Sequence, residues 1–207
     1  VCIPSGKLVD FGFFLSYVQS YGQMLLSWNT ATFAVSSPMI FENRNEIVRR
    51  LLKFEEKNGM LFDYLLWIDN DIMFTFEDVQ RLIAALDGGA DFVSGVYYNP
   101  HGGTIKPVAY MARGETYDWL NENDIKSDGG LMEVDSVGFG FCAMSAQLVR
   151  KMSEKFSPRP FELRPLPDGT LVSEDQLFCE RAKKEFGTKI LLDPSIVVRH
   201  AKGYLPR

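Results

Sequence analysis

Residues 65–74 constrain the fold of this chain more than any other segment. The apolar run at 65–68 ends at two carboxylates one residue apart, Asp69 and Asp71. A continuous apolar run is typical of a central strand that is covered on both faces. Two close carboxylates at the end of a buried strand repel each other unless a positive group lies near them. Because carboxylate oxygens suit Mg²⁺ or Mn²⁺, the segment predicts a cation site shared with a phosphate-bearing ligand.

The same Asp-Asn-Asp composition also occurs in surface turns. Here a buried strand is predicted before it and the apolar residues 72–74 follow it, which is unusual for a surface turn. The setting therefore favours the cation site.

Predicted strands and helices alternate along the chain, which is the pattern of an α/β protein. Asn43, Thr75 and Ser173 each have an acidic or amide residue three positions later, so each is predicted to begin a helix with a capping box. Residues 113–130 are polar and poorly periodic, and are predicted to form an irregular excursion. The predicted strands are residues 1–3, 32–35, 65–68, 91–97, 106–112, 133–145 (interrupted at Gly138 and Gly140), 189–192 and 196–199. The predicted helices are residues 11–26, 43–59, 75–86, 147–155 and 173–187.

Composition limits the partners of the chain. At 207 residues with 46% hydrophobic residues it suits one large domain, and its net charge of −5 argues against a nucleic-acid polymer as partner. No apolar run is long enough to span a membrane, and no signal peptide is evident. Cys2, Cys142 and Cys179 have no metal-binding spacing and are expected to be buried and reduced, which favours a cytoplasmic location. We expect a monomer, or one domain of a longer protein.

The order of motifs resembles that of the GT-A glycosyltransferases. A short predicted strand and loop comes first, at Val-Cys-Ile-Pro-Ser (1–5). A predicted helix start follows at Asn43-Arg44-Asn45. The two acids then come after a predicted strand, in Trp-Ile-Asp-Asn-Asp (67–71). That family uses an Asp-x-Asp motif to hold Mn²⁺ or Mg²⁺ against the diphosphate of a nucleotide sugar. The resemblance covers nearly the whole chain. In its compact size and its set of motifs, the chain resembles the small glycosyltransferase domains of large algal viruses.

The resemblance implies a single GT-A domain with a mixed central sheet flanked by helices. Residues 1–98 would form the nucleotide-sugar-binding half and residues 99–207 the acceptor-binding half. The implied activity is metal-dependent transfer of a hexosyl or deoxyhexosyl group from a UDP-sugar to a hydroxyl of a glycan or glycoprotein, with inversion. A retaining enzyme of the same fold and a non-catalytic module that binds a sugar or nucleotide are the alternatives. If the protein is viral, this glycan synthesis would take place in the host cytoplasm.

The same resemblance assigns residues to the donor. The loop after the first strand would hold uracil and ribose, and the helix start at Asn43 would offer free N–H groups to an anion. Glycines near residue 138 would let backbone approach the donor sugar. The implied cofactor-binding residues are Pro4, Ser5, Gly6, Asn43, Arg44, Asp69, Asn70, Gly138, Phe139 and Lys202.

The metal and the catalytic base are assigned in the same way. Asp71 would be the direct metal ligand, Asp69 would bind the ion through water or lie near the ribose, and His200 would be a further ligand, a set that favours Mn²⁺. Inverting members place an acidic pair where Glu174 and Asp175 stand, and one carboxylate acts as base on the acceptor hydroxyl. Asp175 is the first choice and Glu174 the second. Only one of them is expected to face the cleft, because adjacent helical side chains point about 100° apart.

Two other enzyme classes fit less well. Phosphohydrolases of the haloacid dehalogenase type carry Asp-x-Asp on their first strand with Thr or Val two residues beyond, whereas Met73 stands at that position and two strands are predicted earlier. A nucleotidyltransferase would need a glycine-rich basic loop after the first strand, and Pro-Ser-Gly-Lys at 4–7 is only a distant match.

Overall fold

The computed structural model describes residues 1–125 and 130–201. The helices in these ranges are α1 (Phe11–Ser27), α2 (Ile40–Asn58), α3 (Phe76–Asp87), α4 (Ala146–Lys155) and α5 (Glu174–Phe186), with a 3₁₀ turn at Glu122–Asp124. The strands are β1 (Cys2–Ser5), β2 (Phe33–Ser36), β3 (Tyr64–Ile68), β4 (Ile72–Met73), β5 (Phe92–Val96), β6 (Tyr98–His101), β7 (Thr104–Pro107), β8 (Ala109–Arg113), β9 (Thr116–Trp119), β10 (Met132–Val134), β11 (Ser136–Val137), β12 (Phe141–Ser145), β13 (Arg164–Pro165), β14 (Leu171–Val172), β15 (Ile190–Val197) and β16 (Arg199–His200).

Seven strands form the central sheet, in the order β10-β15-β5-β12-β3-β1-β2. β1 runs parallel to β2 and β3, and β15 runs parallel to β5. β12 is antiparallel to both β3 and β5, and β10 is antiparallel to β15. The predicted α/β class, with a mixed central sheet flanked by helices, is confirmed.

Strand β3 shows why its sequence is apolar without interruption. Leu65 and Trp67 pack into the core that also contains residues of α2, α4 and α5, whereas Leu66 and Ile68 pack into the core that contains residues of α1 and α3. Because successive residues of a strand point to opposite faces, a strand covered on both sides needs an apolar residue at every position.

The reversed direction of β12 decides what meets the Asp-x-Asp motif. β12 lies between β3 and β5, so its first residue, Phe141, pairs with Ile68 at the carboxyl end of β3. The segment just before it, residues 138–140, therefore lies at the same edge of the sheet as Asp69 and Asp71.

Two predicted helix starts are confirmed and one is wrong. Thr75 and Ser173 form capping boxes with Asp78 and Gln176. Helix α2 instead begins at Ile40, and the N–H of Asn43 donates to the carbonyl of Met39 (3.1 Å), so it is not free to bind an anion. Met39 at the N-cap makes no side-chain capping bond, which explains why no capping signal marked the true start.

The middle of the chain is more regular than predicted. Residues 99–103 belong to the hairpin of β6 and β7, whose turn uses Gly102 and Gly103 at positive φ. Within the predicted excursion, Thr116–Trp119 forms strand β9 against β8 and Glu122–Asp124 forms the 3₁₀ turn. β9 alternates half-buried and exposed residues and is mostly polar, so hydropathy gave little signal for it.

The expected state of the cysteines is confirmed, since Cys2, Cys142 and Cys179 are buried and unpaired. Within residues 1–125 and 130–201, none of the helices combines the length and the apolar character needed to cross a bilayer.

Candidate active site

The carboxyl edge of the sheet collects polar groups from distant parts of the chain. Asp69 follows β3 directly, and its N–H donates to the carbonyl of Gly140 (2.9 Å) just before β12. Its own carbonyl accepts from the N–H of Ile72 (3.1 Å), which closes the tight turn through Asn70 and Asp71. This turn fixes the direction of both carboxylates.

Asn70 ties this turn to the loop after β1. Its amide donates to Ser5 Oγ (3.0 Å) and to the carbonyl of Leu8 (2.5 Å), and its carbonyl accepts from the N–H of Asp10 (3.1 Å). The predicted nucleotide loop and the predicted metal turn are thus one hydrogen-bonded unit. Asn70 was predicted to bind the donor, but nothing in the sequence indicates that it joins these two segments.

Asn43 holds the same loop from the other side. Its buried amide donates to the carbonyls of Ser5 (2.9 Å) and Ser37 (3.2 Å). Pro4 lies within β1, and Gly6 accepts from the hydroxyls of Ser5 (2.9 Å) and Ser36 (2.8 Å). Asn43 therefore acts through its side chain on the loop, in place of the predicted backbone anion site.

Arg44 bridges the buried Glu174 and the half-buried Asp69. Its side chain is 3% exposed, its Nη1 donates to Glu174 Oε1 (2.5 Å), and its Nη2 donates to Asp69 Oδ1 (3.4 Å). The guanidinium also lies 5.2 Å from the ring centroid of Phe139. Arg44 therefore links the Asp-x-Asp turn to the start of α5 and supplies both acids with a counter-charge.

Burial controls the charge of these acids. Burial raises the pKa of Asp69 to about 6, with Arg44 opposing the shift and Asp71 adding to it. Burial also raises the pKa of Glu174, again against the effect of Arg44. For Tyr97, which follows β5, burial and then the charges of Asp69 and Asp175 raise the hydroxyl pKa well above its ordinary value. Tyr97 therefore stays protonated.

Asp175 differs from its neighbour in the first turn of α5. It is half-buried, and its Oδ1 accepts from Ser173 Oγ and from the N–H of Gln176 (2.8 Å). Glu174 is buried against Arg44. Of the two predicted bases, Asp175 is the one with access to solvent.

The glycines before β12 are required by Tyr97. A Cβ on Gly138 would lie 2.1 Å from Tyr97 Oη, and one on Gly140 would lie 2.7 Å from Tyr97 Cζ. The N–H of Gly140 donates to Tyr97 Oη (3.2 Å). Phe139 between them is fully buried in the core, so a sugar contact at this position would come from backbone. Tyr97 was not predicted to belong to the site. The only signal available for it was its position at the end of the predicted strand 91–97.

His200 lies beside Asp71 because β16 pairs with β4. His200 is in register with Ile72, and its Nε2 lies 3.2 Å from Asp71 Oδ2. Its side chain is 11% exposed, and its Nδ1 is buried without a hydrogen-bond partner among the described residues. Lys202, the other residue predicted for this segment, lies outside the described residues.

The predicted three-ligand metal set is not a preformed cluster. In the described part of the chain, no three His, Cys, Asp or Glu side chains are arranged closely enough to hold a metal. Asp71 and His200 are adjacent, whereas Asp69 is paired with Arg44. A separate cavity of about 680 Å³, lined by Trp28, Tyr64 and others, contains none of these site residues.

Comparisons with known proteins support the fold alone. No protein-family model and no curated protein matches the sequence. The chain is similar to the crystal structure of A197 from STIV, with 19% identity and a TM-score of 0.63 over 99% of this chain and 84% of that one. It is more weakly similar to the crystal structure of GalNAc-T7 with UDP, GalNAc and Mn²⁺, with 10% identity and a TM-score of 0.46 over 89% of this chain and 35% of that one. The second likeness carries no argument about this chain.

Proposed function

We propose that the chain is a metal-dependent glycosyltransferase of the GT-A type, which moves a sugar from a UDP-sugar to an acceptor hydroxyl with inversion. One observation carries the proposal: the Asp-Asn-Asp turn is hydrogen-bonded to the loop after β1 and lies beside His200, and Arg44 joins this turn to Glu174, the residue before Asp175. A donor loop, a cation site and a base are the three parts that such a transfer requires.

The donor set fits a divalent cation. Asp71 Oδ2 and His200 Nε2 converge to 3.2 Å, and a carboxylate with an imidazole suits Mn²⁺ better than Mg²⁺. These two residues would hold the ion, and Asp69 would contact it through water or face the ribose. When bound, the ion would offset the negative charge on the leaving diphosphate.

The chain's own residues would do the rest. The loop of Pro4, Ser5 and Gly6, held by Asn43 and Asn70, would orient the uracil and ribose. Asp175 would take the proton of the acceptor hydroxyl. As it does so, the oxygen of the acceptor would bond to the sugar carbon, and the bond from that carbon to the diphosphate would break. Glu174 is less suited to this role because Arg44 engages it.

Arg44 also favours a second candidate, a non-catalytic module that binds a nucleotide or sugar. Its guanidinium already supplies Asp69 with a positive partner, as a site without a metal would need. A retaining transferase would share the metal site and the donor loop, so product stereochemistry separates it from the inverting enzyme.

The test is turnover of UDP-sugars with Mn²⁺, read as release of UDP. A set of UDP-hexoses is screened for slow hydrolysis, and the active donor is then assayed with Asp175→Asn and, as matched control, Asp118→Asn, an exposed acid on β9. We expect Asp175→Asn to lose roughly 100-fold or more in rate while UDP still binds, and the control to keep its rate. No turnover of any donor by a chain that binds UDP would favour the binding module.

A further inference from the structure

Helix α1 has an apolar face with no partner in the described structure. Its inner face packs into the core through Phe13 and Met24, which are 4% and 1% exposed. Its outer stripe is equally apolar and consists of Phe11, Phe14, Leu15, Val18, Leu25 and Leu26. Together with the exposed Gly22, these residues recur three or four positions apart and so share one side of the helix. A surface helix would ordinarily carry charges there, yet residues 11–27 contain none.

The exposed area is large. Each side chain of the outer stripe is at least 42% exposed, with Leu26 at 90% and Phe11 at 72%. An aromatic side chain offers roughly 150–250 Å², so Phe11 and Phe14 alone leave on the order of 250 Å² uncovered. With four aliphatic residues added, the stripe exceeds the roughly 300–600 Å² that is usual for a monomer. It approaches the about 800 Å² that each partner buries in a stable interface.

The outer stripe matches itself when two copies run antiparallel. With Val18 on a twofold axis, Phe11 of one copy faces Leu25 of the other, and Phe14 faces Gly22. Gly22 is exposed, and a Cβ there would meet nothing within 4 Å, so the position offers open space to a ring. Bulky residues of the first half of α1 thus meet the small residue of the second half, as an isologous interface requires.

Charge favours a second copy over other partners. The chain carries a net charge of −5, yet an uncharged stripe lets two copies meet without repulsion between like charges. The stripe offers no cation to an anionic membrane and no charge by which a different protein would be selected. We infer that the outer stripe of α1 is the interface of a twofold symmetric homodimer formed by antiparallel α1 helices.

The experiment is sedimentation of the 207-residue chain, together with cysteine cross-linking. We expect a mass twice the 23.5 kDa of one chain. Val18→Glu should raise the dissociation constant at least roughly tenfold, whereas Leu171→Glu, at a 59% exposed position on β14, should not change it. Thermal unfolding of both variants checks that they are folded.

Cross-linking tests the symmetry without introducing a charge. Val18→Cys should form an intermolecular disulfide because the residue meets itself on the axis, and Leu171→Cys on β14 should not. The native cysteines are buried and give no background. A single-chain mass up to about 100 µM would overturn the inference, as would a monomer whose stripe binds uncharged phosphatidylcholine vesicles. A dimer indifferent to both Val18 variants would also overturn it.

Discussion

Arg44 is the residue on which the candidate site depends for its shape. It is buried, and it joins Asp69 after β3 to Glu174 at the start of α5. Two acids brought into the interior without a cation would repel each other and lose their hydration. The guanidinium therefore allows the acidic edge to exist before any ligand arrives.

Replacing Arg44 with Met should destabilise the protein by about 3–5 kcal/mol, the usual cost of leaving a buried charge, here Glu174, without its partner. Arg50→Met on the same helix is the control, because Arg50 is 54% exposed and its surface pair with Glu46 should contribute about 0–1 kcal/mol. Urea unfolding at pH 7 gives both values. A loss for Arg44→Met no larger than that of the control would show that the bridge is unimportant for stability.

Individual residues also show where sequence reasoning stops. The acids at 69 and 71 were recognisable because an apolar strand precedes them. The pairing of Arg44 with Glu174 was not, since the two residues are 130 positions apart and neither has a local pattern that indicates burial. The role of Tyr97 was not recognisable either, because nothing local shows that its hydroxyl meets the N–H of Gly140.

At the scale of elements, short strands do the positioning. β4 and β16 have two residues each, yet their pairing sets His200 opposite Ile72 and next to Asp71. The N–H of Ala201 also donates to the carbonyl of Asp71 (2.8 Å). A two-residue strand has too little periodicity to predict, so the sequence indicated His200 only through a family resemblance.

His200→Ala should weaken Mn²⁺ binding roughly tenfold or more, because one of two adjacent ligands is lost. The chain supplies a matched control in its other histidine, His101, which stacks on Trp119 in the β6–β7 hairpin with ring centroids 4.6 Å apart. Titration of Mn²⁺ by electron paramagnetic resonance measures the free ion directly. Equal affinities for His200→Ala and His101→Ala would remove His200 from the metal site.

A second element-scale contact joins α5 to β13. Arg164 donates two parallel hydrogen bonds to Glu180, of 2.6 and 2.8 Å. These hydrogen bonds are the main reason that the pKa of Glu180 lies below its ordinary 4.5. When folding lowers the pKa of a carboxylate, the carboxylate stabilises the folded protein at pH values above the pKa that it has in the unfolded chain. That stabilisation is lost as the pH falls through the folded pKa.

Glu180→Gln should therefore cost roughly 0.5–1 kcal/mol at pH 7, since both side chains are about one-third exposed. The difference from the unaltered protein should begin to shrink as the pH falls below about 4.5, the ordinary pKa of a glutamate, and should vanish once Glu180 is protonated in the folded state as well. Urea unfolding across this range measures it, with Glu154→Gln, an exposed acid on α4, as control. A difference independent of pH would mean that packing, and not charge, holds α5 to β13.

At the scale of the whole molecule, the mixed sheet explains why the site can form. Parallel strands β1, β3 and β5 end at one edge, and the reversed β12 begins there. The succession of strands and helices along the chain was largely predictable, because strands covered on both faces and capping boxes leave strong local signals. The order of the strands within the sheet and their directions were not predictable in the same way, because they depend on contacts between distant segments. The position of residues 138–140 beside Asp69 follows from the place of β12 in the sheet and from its reversed direction.

The central claim is that this edge binds a nucleotide diphosphate through a cation. Calorimetric titration of UDP with and without Mn²⁺ tests it most directly, using Asp71→Ala and the control Asp63→Ala, an exposed acid before β3 at the opposite edge of the sheet. We predict that Mn²⁺ strengthens UDP binding at least roughly tenfold, and that Asp71→Ala abolishes this gain whereas Asp63→Ala keeps it. Equal UDP affinity with and without Mn²⁺ in the unaltered protein would contradict the account.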